Sequence, residues 1–525
     1  MKIFTNIANN KLIFYFYFYF FRFYLSSYKK KKNFYFSDNK FKDYWSYFTK
    51  NLSKNNENKK EINILLDSFD HPNWYISNYL FINHFKKNFK VNLYTFGLNK
   101  NSKEKEMIDK KIGVSKNFLI KPGINNFYKI KKIFLFLVKK IKTREDLINF
   151  KYKGMNFGID IYESILREGL KTVDLDNKIT YKNYFLFALY YVSIEEIFKK
   201  KIHYVLLSHD NYINYNVPAK ISRKKGAKLF LVNPREIIKS TKSFTQFEIF
   251  KKYKKNLRIL KKTQNFKRLI IKAKKNLAKR TNGVLNINMA YQKLTAFHNK
   301  KIKKQIDKKD NYNILITTHC FFDNPHAFAR LKYLDFWDWM IYLGNISKES
   351  PKNFSWYIKP HRDFLPGTIE ILEAFVKKFP SIKIINPNVS FRQLAAESLD
   401  LILTCHGSIA HEAPVLGIEV INCAYNNSIK FNFAKTFLNK KKLKKIILNG
   451  KKKKISVAKD IYDFYALHFF YYGDNNFWRD FTNTNQLGPS SFLKNFRDFK
   501  RNRDKINLKI NKFLVSKLNN SKEMH

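Results

Sequence analysis

The second half of the chain alternates short apolar runs with segments of helical period, which limits the folds open to it. The apolar runs lie at residues 312–317, 354–359, 382–385, 401–403 and 418–421. Helical stretches separate them, at residues 333–343, 368–379, 390–399 and 408–416. Strands that alternate with helices form parallel sheets, because each helix carries the chain back across the sheet. The pattern therefore predicts a doubly wound α/β domain.

Polar side chains follow three of these predicted strands where each one ends, beginning at Thr318, Lys359 and His406. In a parallel sheet these ends share one edge, so the side chains should converge there. Lysine, arginine and histidine are donors suited to phosphate, and a serine that begins a helix can bind another phosphate oxygen. The residues predicted to line a binding site at this edge are Asp323, Lys359, His361, Arg362, His406, Gly407, Ser408 and Glu412.

Other kinds of site are not indicated. The histidines are scattered over different strand ends without carboxylates at metal-ligand spacing, so no metal site is predicted. No GxGxxG motif follows a first strand, which argues against a dinucleotide redox cofactor. The simpler alternative for residues 401–423 is a helix cap in an ordinary α/β domain.

The first half shows the same alternation, with strands at residues 62–66, 91–96, 203–207 and 227–232. Asp67 ends the first of these strands, and His209 and Asp210 follow the third. Open α/β sheets place functional groups at such strand ends, so the predicted catalytic candidates are Asp210, His209 and Asp67. A structural or capping role for the His–Asp pair is the alternative.

The formal charge of +60 invites a nucleic-acid interpretation. Lysine is inflated together with Asn, Ile, Phe and Tyr, while Gly and Pro are scarce, so the excess should spread over every exposed face. No nucleic-acid partner is predicted, although an anionic membrane surface suits this charge. Three cysteines without a paired framework indicate a reducing compartment.

Residues 12–25 form an aromatic run that is followed by Lys29 to Lys32. The run is shorter than the roughly 20 residues that span a bilayer. Aromatic rings beside lysines suit a membrane interface, so the segment predicts a peripheral anchor. The alternative is a poorly ordered or misannotated leader.

Several blocks resemble the bacterial capsule and surface-polysaccharide biosynthesis proteins, GT-B glycosyltransferases related to the capsule Kdo transferases. The blocks are Asp323–His326, Asp335–Trp339, Tyr357–His361, His406–Ser408 with Glu412 and Ala413, and earlier Ile161–Arg167, Ser208–His209 with Tyr212, and Lys279–Arg280 with Gly283. The resemblance implies two Rossmann-like domains facing across a cleft. It also implies that His361 contacts the nucleotide and Ser408 the phosphate of a CMP-sugar. Arg362 stands where that family has proline.

The predicted domains are a leader and linker (1–60), an N-terminal acceptor domain (61–235), a basic helical connector (236–310), a C-terminal nucleotide-sugar domain (311–455) and helices packing back on the first domain (456–525). The connector shows no strand signal before Tyr312, and the aromatic run 464–472 belongs to the returning helices.

The predicted function is metal-independent transfer of a sugar, Kdo-like if the resemblance holds, from a nucleotide-sugar to a glycan or lipid-linked acceptor of capsule or lipopolysaccharide. A CMP-sugar is the favoured co-substrate, no cofactor is expected, and the location is cytoplasmic, peripheral on the inner face of the membrane. Two alternatives stay open: a phosphotransferase using CDP-glycerol or CDP-ribitol, and a basic nucleic-acid- or membrane-binding protein.

Overall fold

The described residues form two α/β units, each built around its own six-stranded sheet. The computed structural model describes residues 11–28, 46–47, 50, 52–55, 57–67, 72–98, 103–232, 237–240, 250–285, 295–326, 331–361, 364–453, 458–471, 501 and 508. Between residues 11 and 471, the first unit takes the described residues up to 165 and 173–240. The second takes residues 166–172 and those from 250 onward.

The sheet of the first unit has the strand order β3-β2-β1-β6-β7-β8. Its strands are β1 (Glu61–Asp67), β2 (Lys90–Gly97), β3 (Val114–Leu119), β6 (Tyr204–Leu207), β7 (Lys228–Val232) and β8 (Ile237–Ser240), and a small hairpin joins β4 (Lys151–Tyr152) and β5 (Met155–Asn156). All pairings in the six-stranded sheet are parallel except β7 with β8. This is the doubly wound order, with a reversal of winding between β1 and β6.

Eight α-helices surround this sheet within the described residues. They are α1 (Lys11–Tyr28), α2 (Pro72–Asn88), α3 (Lys103–Ile112), α4 (Phe127–Lys140), α5 (Arg144–Ile148), α6 (Gly158–Leu166), α7 (Lys178–Ile197) and α8 (Val217–Lys224). Helix α7 carries apolar or aromatic residues on every face, and thirteen of its residues are buried. A helix with such a sequence forms the centre of a domain instead of its surface.

Helix α1 lies in the predicted leader, which was expected to stand apart from the first domain. The structure differs, because Tyr15 and Tyr19 are buried against α4 and α7. The Tyr15 hydroxyl donates to the Phe127 carbonyl at 2.9 Å, and the Tyr19 hydroxyl donates to the Gly123 carbonyl at 2.7 Å. These hydroxyl bonds satisfy the polar end of each buried ring. In the part of the chain that the structure describes, no helix is both long and apolar enough to cross a membrane. Lys29 to Lys32 lie outside the described residues.

The sheet of the second unit has the order β11-β10-β9-β12-β13-β14, and every pairing is parallel. Its strands are β9 (Tyr312–Thr317), β10 (Phe354–Lys359), β11 (Ile382–Ile384), β12 (Leu401–Thr404), β13 (Glu419–Asn422) and β14 (Lys435–Thr436). The predicted strands are confirmed, and a two-residue strand is added at one edge. Winding reverses between β9 and β12, as it does in the first unit.

Seven α-helices belong to the second unit among its described residues. They are α9 (Tyr253–Lys261), α10 (Phe266–Thr281), α11 (Phe336–Lys348), α12 (Thr368–Lys378), α13 (Phe391–Ala396), α14 (Lys440–Leu448) and α15 (Asp460–Tyr465). Both sheets are covered by helices, so the predicted α/β class with two Rossmann-like domains is confirmed.

The stretch predicted as a helical connector is different in the structure. Its residues 237–240 form β8, which pairs with β7 of the first sheet. Helices α9 and α10 contribute Leu260 and Leu277 to the core of the second unit. The predicted helices are present, but their burial was not predicted, because the charge of the many lysines in this stretch was taken to indicate a solvated surface although an apolar stripe of helical period runs between them.

The C-terminal segment also departs from expectation up to residue 471. Helix α15 and the π-helical turn Ala466–Tyr471 pack against α10 in the second unit. Phe464, Tyr465 and Leu467 are fully buried in that core, so this part of the aromatic run does not return to the first domain. Residues 472–500 lie outside the described part of the chain.

The segment after β12 was expected to form a helix over residues 408–416. It forms two short 3₁₀ turns instead, Ser408–His411 and Ala413–Leu416. Pro414 has no N–H and clashes with the preceding turn of an α-helix, which interrupts α-helical hydrogen bonding here. Gly417 then takes a φ of 79°, which ends the second turn. No α-helix N-terminus therefore follows Gly407.

Candidate functional site

The register of the second sheet brings three histidines to the same level beyond the strand ends. Thr317 pairs with Lys359, and Leu403 pairs with Ile316, so Thr404 comes level with Thr317. His319, His361 and His406 each lie two residues further along their strands. The predicted convergence of the three strand ends therefore follows from the pairing of β9 with both of its neighbours.

Contacts between His319 and β12 join the two central strand ends. The Nε2 atom of His319 lies 3.2 Å from Thr404 Oγ1 and 3.2 Å from the backbone nitrogen of Cys405. The backbone nitrogen of His406 is 3.5 Å away. Because Nε2 accepts these N–H groups, its lone pair must be free of a proton and the ring is neutral. Enclosure among protein atoms, with His406 and His361 nearby, holds the pKa of His319 well below its usual value.

His406 and Gly407 sit tightly beside this ring. The imidazole rings of His319 and His406 are 4.7 Å apart, and that of His319 stacks on Phe336 at 4.8 Å. Desolvation lowers the pKa of His406 to about 4, against the opposing effect of Asp323. A Cβ atom on Gly407 would lie only 2.9 Å from Thr404 Oγ1 and 3.4 Å from His319 Cε1. Position 407 is therefore glycine because no side chain fits.

The third strand end is linked through the backbone. The N–H of His361 donates to Thr318 Oγ1 at 3.2 Å, and the N–H of Thr318 donates to the Lys359 carbonyl at 3.1 Å. The His361 residue is exposed. Lys359 is buried instead, and its ammonium donates to the Pro387 carbonyl at 2.6 Å. Of these two predicted nucleotide ligands, only His361 is presented to solvent, and Arg362 lies outside the described residues.

Ser408 and Glu412 belong to a buried ion-pair network. Glu412 Oε1 accepts a hydrogen bond from Arg280 Nε at 2.7 Å, and both side chains are almost fully buried. Ser408 Oγ donates to Glu412 Oε2 at 3.3 Å. The Arg280 guanidinium also lies 5.5 Å from the centre of the Phe297 ring. Glu412, one of the predicted binding residues, instead links the 3₁₀ turns to helix α10 through its ion pair with Arg280.

Asp323 lies beside a cavity of the second unit. Its Oδ1 atom is 3.6 Å from Arg167 Nη1, and both side chains are about half exposed. Arg167 lines the cavity, which has a volume of about 650 Å³. The other lining residues are Glu168, Gly169, Leu170, Lys171, Phe322, Leu365, Pro366, Gly367 and Ile371. This volume is in the range of small-molecule sites.

In the first unit, the three predicted catalytic candidates lie at the ends of β1 and β6, where winding reverses. Asp67 Oδ2 accepts from the backbone N–H of Ser208 at 2.7 Å and from its hydroxyl at 2.6 Å. His209 Nδ1 lies 3.0 Å from the same hydroxyl oxygen. Because that hydroxyl donates to Asp67, Nδ1 is the donor in this contact. Asp67 therefore orients Ser208, which in turn orients His209.

Asp210 has different neighbours, which the sequence did not single out. Its Oδ2 atom lies 3.4 Å from Arg223 Nη2. Asp160 lies in the same charged cluster, where Asn216 donates to it at 2.6 Å and the Lys220 ammonium donates to its other oxygen. Desolvation raises the pKa of Asp210 despite Arg223 and Lys220, and desolvation also raises the pKa of Asp160. A raised pKa makes Asp210 a stronger base than an ordinary aspartate.

His319, Thr404 and Asp160 were missed as site residues. His319 follows Thr318 in the first of the predicted strand-end clusters. It lies two residues beyond its strand, as the histidines of the other two clusters do, and this shared spacing was the signal that could have selected it. Among the residues that the structure describes, no three His, Cys, Asp or Glu side chains are grouped as metal ligands.

No protein-family model matches the chain, and no curated protein matches it. Solved structures do show similarity. KpsC, beta Kdo 2,4 transferase, of Thermosulfurimonas dismutans is 11% identical, with a TM-score of 0.30 over 50% of this chain and 79% of that chain. UDP-GlcNAc 2-epimerase of Neisseria meningitidis, bound to UDP-GlcNAc, is 12% identical, with a TM-score of 0.19 over 84% and 100%. S. aureus MnaA with UDP is 10% identical, with a TM-score of 0.23 over 78% and 90%. Because these similarities are distant, the roles of the site residues are inferred from the contacts that they make in this chain.

Replacing Glu412 by glutamine should destabilise the second unit. The change leaves the Arg280 guanidinium buried without its counter-charge, which costs about 3–5 kcal/mol in free energy of unfolding. Urea denaturation measures this cost. The matched control is Glu349→Gln, which removes the half-exposed ion pair with Lys444 and should cost less than about 1 kcal/mol. Equal losses in the two variants would contradict a structural role for Glu412.

The stability of the second unit should fall as pH drops below about 6.5, the ordinary pKa of histidine. Burial lowers the pKa of His411 to about 3, with Arg280 adding to the effect. Between these two values the unfolded chain binds a proton at this position and the folded chain does not, so acid favours unfolding. The slope from this histidine is roughly 1.4 kcal/mol per pH unit.

Comparison with His411→Gln isolates this contribution from those of the other titrating groups. Glutamine can still hydrogen-bond the Tyr465 hydroxyl, which lies 3.1 Å from His411 Nδ1. Urea denaturation at a series of pH values should show a shallower acid slope for the variant. Parallel curves for the two proteins would mean that His411 is not neutral in the folded state.

Proposed function

We propose that the chain is a glycosyltransferase that binds a nucleotide-sugar at the carboxyl edge of the second sheet. The supporting observation is that three histidines lie at the same level of the sheet, at the point where winding reverses. The contact of His319 with Thr404 and Cys405 holds two of the strand ends together. Open α/β sheets bind ligands at such reversal points. The imidazole of His361 is exposed there and can donate to a phosphate oxygen.

Ser408 and Arg362 complete the proposed phosphate site. Ser408 is partly exposed, and its hydroxyl lies on a turn fixed by the buried Arg280–Glu412 pair. Arg362 follows His361 in the sequence, and a guanidinium suits a phosphate geometrically. We propose metal-independent transfer, since these donors can stabilise the charge that develops on the leaving phosphate. Lys359 takes no direct part in this proposal, because its ammonium binds the Pro387 carbonyl.

The first unit would supply the base. Asp210 would remove the proton of an acceptor hydroxyl. In the same step the acceptor oxygen would form its bond to the sugar carbon, and the bond from that carbon to the leaving phosphate oxygen would break. Desolvation raises the pKa of Asp210, which suits this role. His209 is the second candidate, and the Ser208–Asp67 chain would hold its ring in place.

The finer assignments are taken from the sequence resemblance. A CMP-sugar is the first choice of donor, with a Kdo-like sugar as the group transferred. The proposed acceptor is a glycan or lipid-linked precursor of capsule or lipopolysaccharide, met at the cytoplasmic face of the membrane. A phosphotransferase that uses CDP-glycerol or CDP-ribitol is the rival, and product analysis separates the two, since the rival leaves a phosphodiester instead of a glycosidic bond.

Replacing His361 by alanine should weaken nucleotide binding. Loss of a charge-assisted hydrogen bond is worth about 1.5–3 kcal/mol, so affinity should fall roughly ten- to a hundredfold. Titration calorimetry with CMP, CDP, UDP and GDP first identifies the nucleotide and then measures the variant. The control is His298→Ala, which removes a histidine bound to the Asn388 carbonyl of the same unit. If His361→Ala binds as tightly as the parent, the proposed pocket is wrong.

Replacing Asp210 by asparagine should leave nucleotide binding unchanged and reduce turnover about 10²- to 10⁴-fold, because a general base acts only in the transition state. His209→Asn is the matched variant at the neighbouring position and should retain more activity. A turnover assay on both variants decides between the candidates. Collapse of activity in His209→Asn alone would transfer the role of base to His209.

A further inference from the structure

Helix α1 has two apolar faces, one of which packs on the described residues of the first unit, while the other keeps side chains that are 39–63% exposed. Phe14, Tyr15 and Tyr19 are buried against the unit. The other face keeps large apolar side chains in solvent, and Phe20 is the most exposed of them at 63%. The exposed residues of this face are Leu12, Ile13, Tyr17, Phe20 and Phe21.

This exposed surface continues beyond α1. The Tyr19 hydroxyl binds the Gly123 carbonyl, and the rings of Tyr19 and Phe127 are 4.8 Å apart. The residues next to these two contact points, Ile124 and Tyr128, are 88% and 79% exposed. Together with the exposed residues of α1 they form what we call the docking face. Two elements far apart in sequence thus present large apolar side chains to solvent next to each other.

The two segments that carry the docking face are positively charged, although one of their lysines, Lys129, pairs with Glu196 of α7 at 2.9 Å. Residues 11–28 and 121–140 together contain eight lysines and arginines and no aspartate or glutamate. One of these cations, Lys131, places its ammonium 5.4 Å from the centre of the Phe16 ring. Aromatic and aliphatic side chains beside cations are typical of surfaces that enter the headgroup region of anionic membranes.

We propose that the docking face binds the surface of an anionic phospholipid bilayer, with α1 lying in the plane of the interface. A second copy of the chain fits less well, because it would bring the same positive charges against this face. Tyrosine and phenylalanine rings suit the headgroup boundary. This binding is separate from glycosyl transfer, since it uses no residue of the proposed nucleotide or base sites.

Cosedimentation of the full chain with vesicles tests the proposal. The probes are vesicles of phosphatidylcholine alone and of phosphatidylcholine with phosphatidylglycerol. We expect binding to the second kind only, weakened by added salt. Substituting Phe20 and Phe21 together by serine should lower the partition coefficient about tenfold or more, because each ring loses its burial in the bilayer. Ile124→Ser with Tyr128→Ser should act similarly.

The matched control is Ile259→Ser with Ile271→Ser, which removes two exposed apolar side chains of the second unit at 50% and 68% exposure. It should bind vesicles like the parent. Circular dichroism and thermal melting confirm that each variant is folded. Point substitutions are preferred to deletion of α1, which would uncover the core around Tyr15.

Three results would overturn the proposal: no binding to anionic vesicles, no loss of binding in the docking-face variants, or a dimer that forms without vesicles and that those variants dissociate. Nucleotide titration runs independently, so failure of the proposed function is distinguishable.

Discussion

The pairing of β9 with both β10 and β12 is the constraint on which the proposed nucleotide site depends. Parallel strands in fixed register carry matching positions to the same edge of a sheet. Thr317 pairs with Lys359, and Thr404 comes level with them, so His319, His361 and His406 arrive together. A shift of one residue in either pairing would turn one histidine toward the opposite face of the sheet. The buried apolar side chains of all three strands prevent such a shift.

Beyond the strand ends, the site is held by polar contacts with little freedom. The Nε2 lone pair of His319 receives donors from the start of the β12 turn, so the ring must stay neutral to hold it. The Arg280–Glu412 pair fixes the next turn from behind. A buried ion pair is weak evidence for stability by itself, because desolvation offsets much of the attraction. The Arg280–Glu412 pair here fixes a position: it holds the turn that carries Ser408 against helix α10.

The sequence allowed the strands, their parallel arrangement and the convergence of their polar ends to be predicted. These features depend on local apolar runs and on the rule that parallel strand ends share an edge. The partners of individual side chains could not be predicted in the same way. The carbonyl that binds Lys359 belongs to Pro387, in a loop whose path no local pattern specifies. The packing of Tyr15 on α4 likewise depends on contacts across more than a hundred residues.

The helix predicted at residues 408–416 shows how local backbone chemistry can override an apolar pattern. Residues 408–416 have apolar residues at helical spacing, yet Pro414 removes a hydrogen bond in the middle of the segment. The charged connector shows the reverse case, because its lysines concealed a buried stripe that includes Leu260 and Leu277. Local backbone chemistry decided the first case, and tertiary burial decided the second.

The two units share one strand order but place opposite chemistry at the reversal of winding. The second unit gathers histidines there: desolvation lowers the pKa of His319 and His406, and the exposed His361 can donate a hydrogen bond to an anion. The first unit gathers the carboxylates Asp67, Asp160 and Asp210, and desolvation raises the pKa of the latter two. Carboxylates disfavour a phosphate at that position but can accept a proton. Under the proposed function, the exposed histidine would stabilise the leaving anion and a carboxylate of the first unit would take the proton of the acceptor.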